Sequence, residues 1–386
     1  MEKRKIAILG STGSIGVQAL SVVRDNPELF EVRFLAAGNN SRLLIQQAIE
    51  FNAACAVIAN EQLYDEVFAA LDPHGINVFA GMSSIIDAMA NSSDIDLVLS
   101  AMVGFRGLEP TLAALRSGKT VAIANKEPLV AAGGIVMRTA MEHGAAILPV
   151  DSEHSAIFQA LQGENSPIER IFLTASGGPF LRTPAQELEH VTVNEATNHP
   201  RWKMGRKITV DSATLMNKGF EMIEACWLFG VDISQITVVI HPQSVIHSMV
   251  SFKDGAVLAQ MSMPDMRLPI QYALTYPARI PLDIPRVDFF RLGGFTFSEP
   301  DTEKFPCLAI AVDAMRRGGN IPCAMNAANE VAVEAFLNGR IRFTDIPGIV
   351  SRSIAACDFI KEPDLNGILD TDRSVRVSAT NIIDKL

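Results

Sequence analysis

The chain has 386 residues, of which 48% are hydrophobic and 20% are charged, and its formal net charge is -10. This length is enough for two or three domains with separate cores, while the negative charge argues against a nucleic-acid-binding surface. No uninterrupted apolar run is long enough to span a bilayer. The five cysteines are scattered without a C-x-x-C pair. That pattern is typical of reduced thiols in a cytosolic protein rather than of a disulfide framework or a zinc site.

A glycine turn follows the first apolar run of the chain. Residues 6–9 predict a strand, residues 10–16 (GSTGSIG) a turn, and the spacing of Val17, Leu20 and Val23 a helix. In such a unit, the glycines let the backbone approach a pyrophosphate at the helix N-terminus. The spacing is G-x-x-G-x-x-G rather than G-x-G-x-x-G, and a glycine triplet alone is weak evidence. The prediction of a dinucleotide site therefore depends on the position of this turn directly after the first strand. The alternative is an ordinary tight turn.

The second predicted strand, residues 32–37, ends at a polar turn formed by residues 38–42 (GNNSR). An NAD enzyme usually places Asp or Glu here to bind the ribose 2′-hydroxyl, and this turn has neither. Because Arg42 could instead receive a 2′-phosphate, we favour NADP over NAD. The alternative is a surface turn in which Ser41 caps a helix.

Further strands are predicted at residues 56–58, 77–79, 96–100 and 120–124, with helical patterns between several of them. This alternation predicts a doubly wound parallel sheet, which binds ligands at the carboxyl ends of its strands. Asn125, Lys126 and Glu127 follow one such strand. Lys126 and Glu127 are either functional residues or a plain exposed ion pair.

Two carboxylates, Asp151 and Glu153, follow another apolar run at residues 145–148. In an extended chain, residues i and i+2 point the same way, so these side chains could converge. Converging carboxylates repel each other unless a cation or a proton lies between them, and oxygen ligands suit Mg²⁺ or Mn²⁺. The alternative is a solvated loop in which Asp151 or Ser152 caps a helix.

The next segment predicts a phosphate site. Residues 169–175 form a predicted strand that ends at Ser176 and two glycines, which is either an anion site or a simple turn. The loop at residues 198–207 carries His199, Trp202 and four cations. This composition predicts a lid over a polar ligand at residues 196–207, although a static basic loop is the alternative.

A helix is predicted at residues 215–229, with Ser212 near its start and Asn217, Lys218 and Glu221 on one face. The first three are phosphate donors, and Glu221 is a candidate third carboxylate ligand; the alternative is a surface Lys218–Glu221 pair. Residues 241–250 predict a strand pair in which the histidines are structural.

The remaining residues predict a structural role rather than a catalytic one. A connection rich in glycine and proline (residues 291–306) precedes helical patterns at 307–316, 324–337, 346–356 and 378–386, which indicate a small helical bundle. Asn326, Asn329 and Glu330 are interpreted as caps and interface groups. The predicted fold is α/β: a Rossmann-like NADPH-binding domain (1–150), an α+β catalytic domain (151–286), a linker (287–311) and a C-terminal helical domain (312–386).

Together these segments resemble one family, the 1-deoxy-D-xylulose 5-phosphate reductoisomerases. The matching motifs occur in the family's order over nearly the whole chain: GSTGSIG at 10–16, ANKE at 124–127, VDSEH at 150–154, ASGGPF at 175–180, HPRWKMGRK at 199–207, VDSAT at 210–214, NKG at 217–219, HPQSVIHS at 241–248 and NAANE at 326–330.

The resemblance implies a homodimeric enzyme of the methylerythritol phosphate route to isoprenoids. It would use NADPH and a divalent metal (Mg²⁺ or Mn²⁺, with Co²⁺ as a further candidate) to rearrange and reduce 1-deoxy-D-xylulose 5-phosphate to 2-C-methyl-D-erythritol 4-phosphate. The resemblance assigns cofactor binding to Thr12, Gly13, Ser14, Ile15, Gly38, Asn39, Asn40, Asn125, Glu127 and Gly205. It assigns the metal to Asp151, Glu153 and Glu221, and the phosphate to Ser176, His199, Ser212, Asn217 and Lys218. It assigns the reacting end of the sugar to Lys126, Ser152 and Glu153, and the lid to Trp202.

Two departures from the family pattern stand out. Asn39 occupies a position where the family often has lysine, so 2′-phosphate recognition would rely more on Arg42. Phe105-Arg106 is bulkier than the residue pair expected between Gly104 and Gly107.

The resemblance also implies a mechanism in which the metal is a Lewis acid during retro-aldol cleavage and recombination, before hydride transfer. Two other functions stay open at this point: a metal-independent NADP dehydrogenase and a non-catalytic NADP-sensing module.

Overall fold

The computed structural model describes residues 2–202 and 204–386. Lys203, one of the four cations of the predicted lid, lies outside the described residues.

The strands are β1 (Arg4–Leu9), β2 (Phe30–Ala37), β3 (Cys55–Ile58), β4 (Asn77–Ala80), β5 (Leu97–Ser100), β6 (Thr120–Ile123), β7 (Ile147–Pro149), β8 (Ile168–Ala175), β9 (Ile236–Ile240), β10 (Ile246–Phe252) and β11 (Val257–Met261). The helices are α1 (Ser14–Asp25), α2 (Ser41–Glu50), α3 (Tyr64–Leu71), α4 (Gly81–Asn91), α5 (Leu108–Arg116), α6 (Glu127–Glu142), α7 (Ser152–Ala160), α8 (Val193–Ala196), α9 (Arg206–Ala213), α10 (Met216–Phe229), α11 (Arg267–Thr275), α12 (Phe289–Leu292), α13 (Cys307–Arg317), α14 (Ile321–Leu337), α15 (Ile346–Ala355) and α16 (Leu365–Ile383).

The chain divides into two compact units. Unit 1 comprises Met1–Pro128, Val136–Ser155 and Asp265–Asp283. It contains a seven-stranded sheet in the order β4-β3-β2-β1-β5-β6-β7, in which every neighbouring pair is parallel. The predicted doubly wound parallel sheet is therefore confirmed. Strand order reverses between β1 and β5, and this reversal opens a crevice at the carboxyl ends of the two strands.

Unit 2 comprises Leu129–Ile135, Ala156–Pro264 and Ile284–Leu386. Its four-stranded sheet has the order β11-β10-β8-β9, and only β8 and β9 are parallel. Helix α14 packs against α13, α15 and α16, and its buried residues occupy nearly its whole circumference. A helix that is apolar on all sides lies at the centre of a bundle. The predicted α+β and helical parts of the fold are thus confirmed.

Three local predictions are wrong. The last helix, α16, begins at Leu365 rather than near residue 378, because the Asp364 carboxylate caps it by accepting from the Gly367 N–H at 2.8 Å. Residues 206–213 form a separate helix, α9, ahead of the predicted one. Residues 241–245 belong to no strand, so the predicted strand pair is the single strand β10 with the turn before it.

Two further properties bear on function. Over the described part of the chain, no helix has both the length and the apolar character required to cross a membrane. All five cysteines are free thiols. Burial raises the thiol pKa of Cys55, Cys226 and Cys307 to about 12, so these side chains stay protonated and unreactive near neutral pH.

Candidate active site

The glycine turn in unit 1 is shaped by close backbone contacts. Gly10 has φ +89°, and a Cβ on it would lie 2.5 Å from the Ala101 carbonyl oxygen after β5. A Cβ on Gly16 would lie 2.5 Å from the Ser11 Cα, so both positions require glycine. Helix α1 starts after Gly13 without a side-chain cap. Its first N–H groups are thus placed for an anion at the crevice.

The turn after β2 is held by amides. The Asn40 Oδ1 accepts from a backbone N–H of α2 at 3.1 Å, so Asn40 caps this helix rather than Ser41. The Asn60 Nδ2 donates to the Asn39 Oδ1 at 3.1 Å. Arg42 is exposed beside these residues, and the turn itself contains no carboxylate. The chemistry of the turn matches a phosphate better than a hydroxyl pair.

Asn125, Lys126 and Glu127 lie at the carboxyl end of β6 and are 4%, 7% and 6% exposed. The Asn125 Nδ2 donates to the Gly104 carbonyl at 3.3 Å and also to the Glu127 carboxylate. Lys126 forms an ion pair with Asp151. The alternative of an exposed Lys126–Glu127 pair is therefore wrong, because both side chains are buried and Lys126 is directed to another carboxylate.

The two oxygens of the Asp151 carboxylate have different partners. Its Oδ1 accepts the Glu153 N–H at 3.2 Å and caps α7, while its Oδ2 receives the Lys126 ammonium. The His154 Nδ1 lies 3.3 Å from Oδ1. Burial raises the pKa of Asp151, but the Lys126 charge and the His154 hydrogen bond outweigh burial and bring this pKa well below its ordinary value. Asp151 is thus an anion at neutral pH.

The predicted reason for convergence of Asp151 and Glu153 is wrong, although the two carboxylates do approach each other. The chain is not extended here, because α7 begins at Ser152. The carboxylate oxygens of Asp151 and Glu153 nevertheless lie within 4.8 Å of each other, and the Ser152 Oγ donates to the Glu153 Oε2 at 2.7 Å. Adjacent ionised oxygen donors fit a hard divalent cation.

In unit 2, a two-glycine turn after Ser176 packs against the end of α9. Gly177 and Gly178 have φ of +87° and +71°. A Cβ on Gly178 would lie only 2.8 Å from the Ser212 carbonyl oxygen. The turn therefore lies directly against the backbone of Ser212, which brings two of the predicted phosphate residues together.

Hydrogen bonds define the tautomer of His199. Its Nδ1 accepts the backbone N–H groups of Arg201 at 3.1 Å and Trp202 at 3.0 Å, so the ring proton is on Nε2. That Nε2–H donates to the Ser176 Oγ at 3.0 Å, which also accepts the Gly178 N–H at 3.2 Å. Burial lowers the pKa of His199 to about 4. With both acceptor positions used, the Ser176 hydroxyl can donate its own proton to an anion.

The first turns of α10 present the predicted amide, ammonium and carboxylate on one face. The Asn217 Nδ2 donates to the Glu221 Oε1 at 2.5 Å, and Lys218 forms an ion pair with the same carboxylate. Lys218 is 4% exposed and Glu221 is 1% exposed. The alternative of a surface Lys218–Glu221 pair is therefore wrong, because both side chains are buried.

Two residues of the described part of the predicted lid are held by neighbouring structure. The Arg201 Nε donates to the Pro242 carbonyl at 3.2 Å, and Gly205 is the N-cap of α9. The Trp202 ring is half-buried, and its centroid lies 6.3 Å from that of His247.

The histidines of the 241–250 segment have structural hydrogen bonds. The His241 Nε2 accepts the N–H groups of Val245 and Ile246 at 3.3 Å. The His247 Nε2 lies 2.8 Å from the Ser262 Oγ. These contacts support the structural interpretation of both rings.

Sequence reasoning assigned no role in the site to three residues that contact predicted site residues or their neighbours. His154 contacts Asp151. The sequence feature that could have indicated this contact is the position of His154 three residues after Asp151, in the same helical turn. Asp211 is buried immediately before Ser212 and pairs with Lys207, four residues earlier, at 2.9 Å; the i,i+4 spacing could have indicated this pair. Asn329 donates to Asp211 at 2.8 Å across 118 residues of sequence, and no local pattern could have revealed that bond.

Comparison with known proteins gives one consistent family. Family models described as 1-deoxy-D-xylulose 5-phosphate reductoisomerase, its C-terminal domain, and DXP reductoisomerase C-terminal domain match residues 6–133, 147–229 and 261–378. The reductoisomerases of Bacteroides fragilis and Porphyromonas gingivalis are 51% and 52% identical to this chain, with 100% and 99% of it covered and 99% of each relative.

Solved structures agree with the sequence comparison. The reductoisomerase of Zymomonas mobilis in complex with NADPH superimposes with a TM-score of 0.93 and 41% identity, covering 100% of both chains. A DOX-P reductoisomerase in complex with NADPH, fosmidomycin and magnesium gives a TM-score of 0.93 and 41% identity, with 99% of this chain and 98% of that chain covered.

Proposed function

This chain belongs to the family of 1-deoxy-D-xylulose 5-phosphate reductoisomerases, and we propose that its site performs the family's reaction. One molecule each of 1-deoxy-D-xylulose 5-phosphate, NADPH and H⁺ gives 2-C-methyl-D-erythritol 4-phosphate and NADP⁺, a step of isoprenoid precursor synthesis. The observation that carries the proposal is the buried Lys126–Asp151 pair beside Glu153, at the carboxyl edge of a dinucleotide-type sheet.

NADPH is the proposed cofactor. The turn before α1 and the first residues of this helix, with Thr12, Gly13, Ser14 and Ile15, would bind the pyrophosphate. Gly38, Asn39 and Asn40 would contact the adenosine ribose, and Arg42 would supply the charge for its 2′-phosphate. We assign the nicotinamide end to Asn125, Glu127 and Gly205, and NADPH supplies the hydride that the net reduction requires.

Asp151, Glu153 and Glu221 are the proposed ligands of the divalent metal. The fit rests on the donor set: three carboxylates, of which Asp151 is held ionised by its surroundings, suit Mg²⁺ or Mn²⁺ better than a soft metal. A cation held there would supply Lewis-acid stabilisation of negative charge on the substrate's oxygens.

The protein groups around these ligands position the reacting end of the sugar. The Lys126 ammonium beside Asp151 would hold negative charge or a proton at the reacting oxygens, and the Ser152 hydroxyl would orient the Glu153 carboxylate to which it donates. Because both side chains are anchored on helix termini rather than flexible loops, they need little reorganisation as charge develops.

The phosphate end is the proposed anchor of the substrate. Ser176, Ser212 and Asn217 would donate hydrogen bonds and Lys218 would supply the charge. The neutral His199 would act indirectly, because its Nε2–H fixes the Ser176 oxygen and leaves the serine proton for the phosphate. Binding energy from this remote group would fix the reacting end, and Trp202 would cover the site when the lid closes.

The quaternary structure, location and domain boundaries are further proposals. Exposed apolar side chains on the edge strand β11 (Val257, Leu258) and on α12 (Phe289, and Phe290 at 100% exposure) support a homodimer. Free thiols support a cytoplasmic location. The division at residues 150, 286 and 311 is kept as our functional segmentation.

The test follows NADPH absorbance with 1-deoxy-D-xylulose 5-phosphate, Mg²⁺ or Mn²⁺, and then excess chelator. We expect NADPH oxidation that requires both the sugar phosphate and the metal. Oxidation that persists in chelator would indicate a metal-independent dehydrogenase. NADPH binding without any turnover would indicate a sensing module.

A further inference from the structure

Unit 2 contains a buried ionic cluster that the proposed reaction does not use. Asp211 is 1% exposed; its Oδ1 accepts the Asn329 Nδ2 at 2.8 Å and its Oδ2 pairs with the Lys207 ammonium at 2.9 Å. We call these three residues the Asp211 cluster. A carboxylate withdrawn from water is costly unless it is paired and hydrogen-bonded. Asp211 has both kinds of partner, so its burial is tolerated only while Lys207 and Asn329 keep their positions.

The cluster connects α9, which carries both Lys207 and Asp211, to α10 and α14. Lys207 is the last residue of the predicted lid, and its ammonium also lies 4.9 Å from the centroid of the Phe220 ring in α10. Asp211 directly precedes Ser212. Asn329 comes from α14 at the centre of the helical bundle. One carboxylate thus holds the lid end and the serine backbone to a rigid helix.

The hydrogen bonding of the Asn329 side chain indicates that this residue positions Asp211 rather than stabilising the fold. Its Nδ2 must face the Asp211 carboxylate, since a flipped amide would direct its oxygen at an anion. This orientation leaves the Asn329 Oδ1 buried without a hydrogen-bond partner among the described residues. An unsatisfied buried acceptor is unfavourable, so a leucine would pack here at lower cost if the residue only filled space.

We propose that Asp211, Asn329 and Lys207 are positioning residues for phosphate recognition: they fix α9 so that Ser212 and the lid end hold the substrate's phosphate. The inference rests on the proposed function and extends it to residues that do not touch the substrate. The cluster acts through Ser212, whose carbonyl already contacts the Ser176 turn at Gly178. Loss of the cluster weakens phosphate binding without removing any group that binds the metal or NADPH.

The variant Asn329→Leu tests the proposal, because it keeps the number and branching of the side-chain heavy atoms and removes both the donor and the unsatisfied acceptor. Asn326→Leu is the matched control. Asn326 is equally buried on the same helix and also has an unpartnered Oδ1, but its Nδ2 donates to Glu330 at 3.2 Å, away from Asp211. Both variants are compared with the unmodified full chain.

The measurements are KM for the sugar phosphate, kcat, KM for NADPH, and the inhibition constant of inorganic phosphate against the sugar phosphate. For Asn329→Leu we expect KM and the phosphate inhibition constant to rise about tenfold, the scale of one lost charge-assisted hydrogen bond. The expected change in kcat and in KM for NADPH is at most about twofold, because no group at the reacting end is altered. Asn326→Leu should leave all four constants near those of the unmodified chain.

A rescue variant separates positioning from a general packing effect. The exchange Asp211→Asn with Asn329→Asp restores an amide–carboxylate pair and should recover most of the phosphate affinity that Asp211→Asn alone loses. An unchanged phosphate inhibition constant in Asn329→Leu would overturn the inference, as would an equal rise in Asn326→Leu. Failure of the proposed function is distinguishable, because the unmodified chain would then not oxidise NADPH with this substrate.

Discussion

Gly178→Ala tests the contact between the Ser176 turn and Ser212 at a single atom. Gly178 has φ +71°, and its Cβ position lies 2.8 Å from the Ser212 carbonyl oxygen and 3.3 Å from the Ala213 Cα. Both neighbours are backbone atoms, so a side-chain rotation cannot relieve the crowding. The added methyl group must displace the turn, α9 or both.

Two costs add to the expected effect. A Cβ in the left-handed region costs about 1 kcal/mol. The contact with the Ser212 oxygen is about 0.6 Å closer than ordinary van der Waals contact, and overpacking of this kind typically costs about 1–3 kcal/mol. A displacement of about 0.6 Å at Ser176 and Ser212, the two proposed phosphate donors, should raise KM for the sugar phosphate about tenfold or more. Displacements near 1 Å reduce enzyme activity by up to about a hundredfold.

Gly163→Ala is the matched control. Gly163 has φ +84°, but no atom lies within 4 Å of its Cβ position, so this variant incurs the backbone cost alone. The assay compares KM for the sugar phosphate and the urea midpoint of both variants. We expect both to lose stability and only Gly178→Ala to lose substrate affinity. Equal KM values in the two variants would refute the contact between the turn and Ser212.

Three further changes have distinct readouts. Asp151→Asn should reduce kcat far more than NADPH affinity, and a near-normal kcat at saturating Mg²⁺ would remove Asp151 from the metal site. Lys218→Ala should weaken the sugar phosphate by about 2 kcal/mol, the scale of a lost charge-assisted hydrogen bond; an unaltered KM would reject its phosphate role. The folded-state pKa of His199 is about 4, against 6.5 as its ordinary value, so the unfolded chain binds a proton first as pH falls. His199 therefore lowers stability progressively from pH 6.5 to 4, and His199→Gln should flatten this fall in urea unfolding; an unchanged slope would contradict the assignment of a buried neutral ring.

The sequence by itself determined the dinucleotide-type sheet and most of the residues assigned to the site. Alternation of apolar strands with helical patterns is a local signal. The close contact at Gly16 is likewise local, because it is made with Ser11 of the same strand–helix unit, whereas the close contact at Gly10 is made with Ala101 after β5. The carboxyl-edge positions of Lys126 and Asp151 followed from the same pattern, because parallel strands end at a common edge.

Only the tertiary structure decided how the predicted side chains are paired. Asp151 caps α7, as the alternative interpretation of the sequence allowed, but only the fold brings its other carboxylate oxygen to Lys126, 25 residues earlier. The orientation of His199 follows from the fold of its loop. The Asp211–Asn329 bond spans 118 residues. Hydrogen bonds between residues this far apart leave no periodicity in the sequence, because chain packing rather than local backbone preference brings them together.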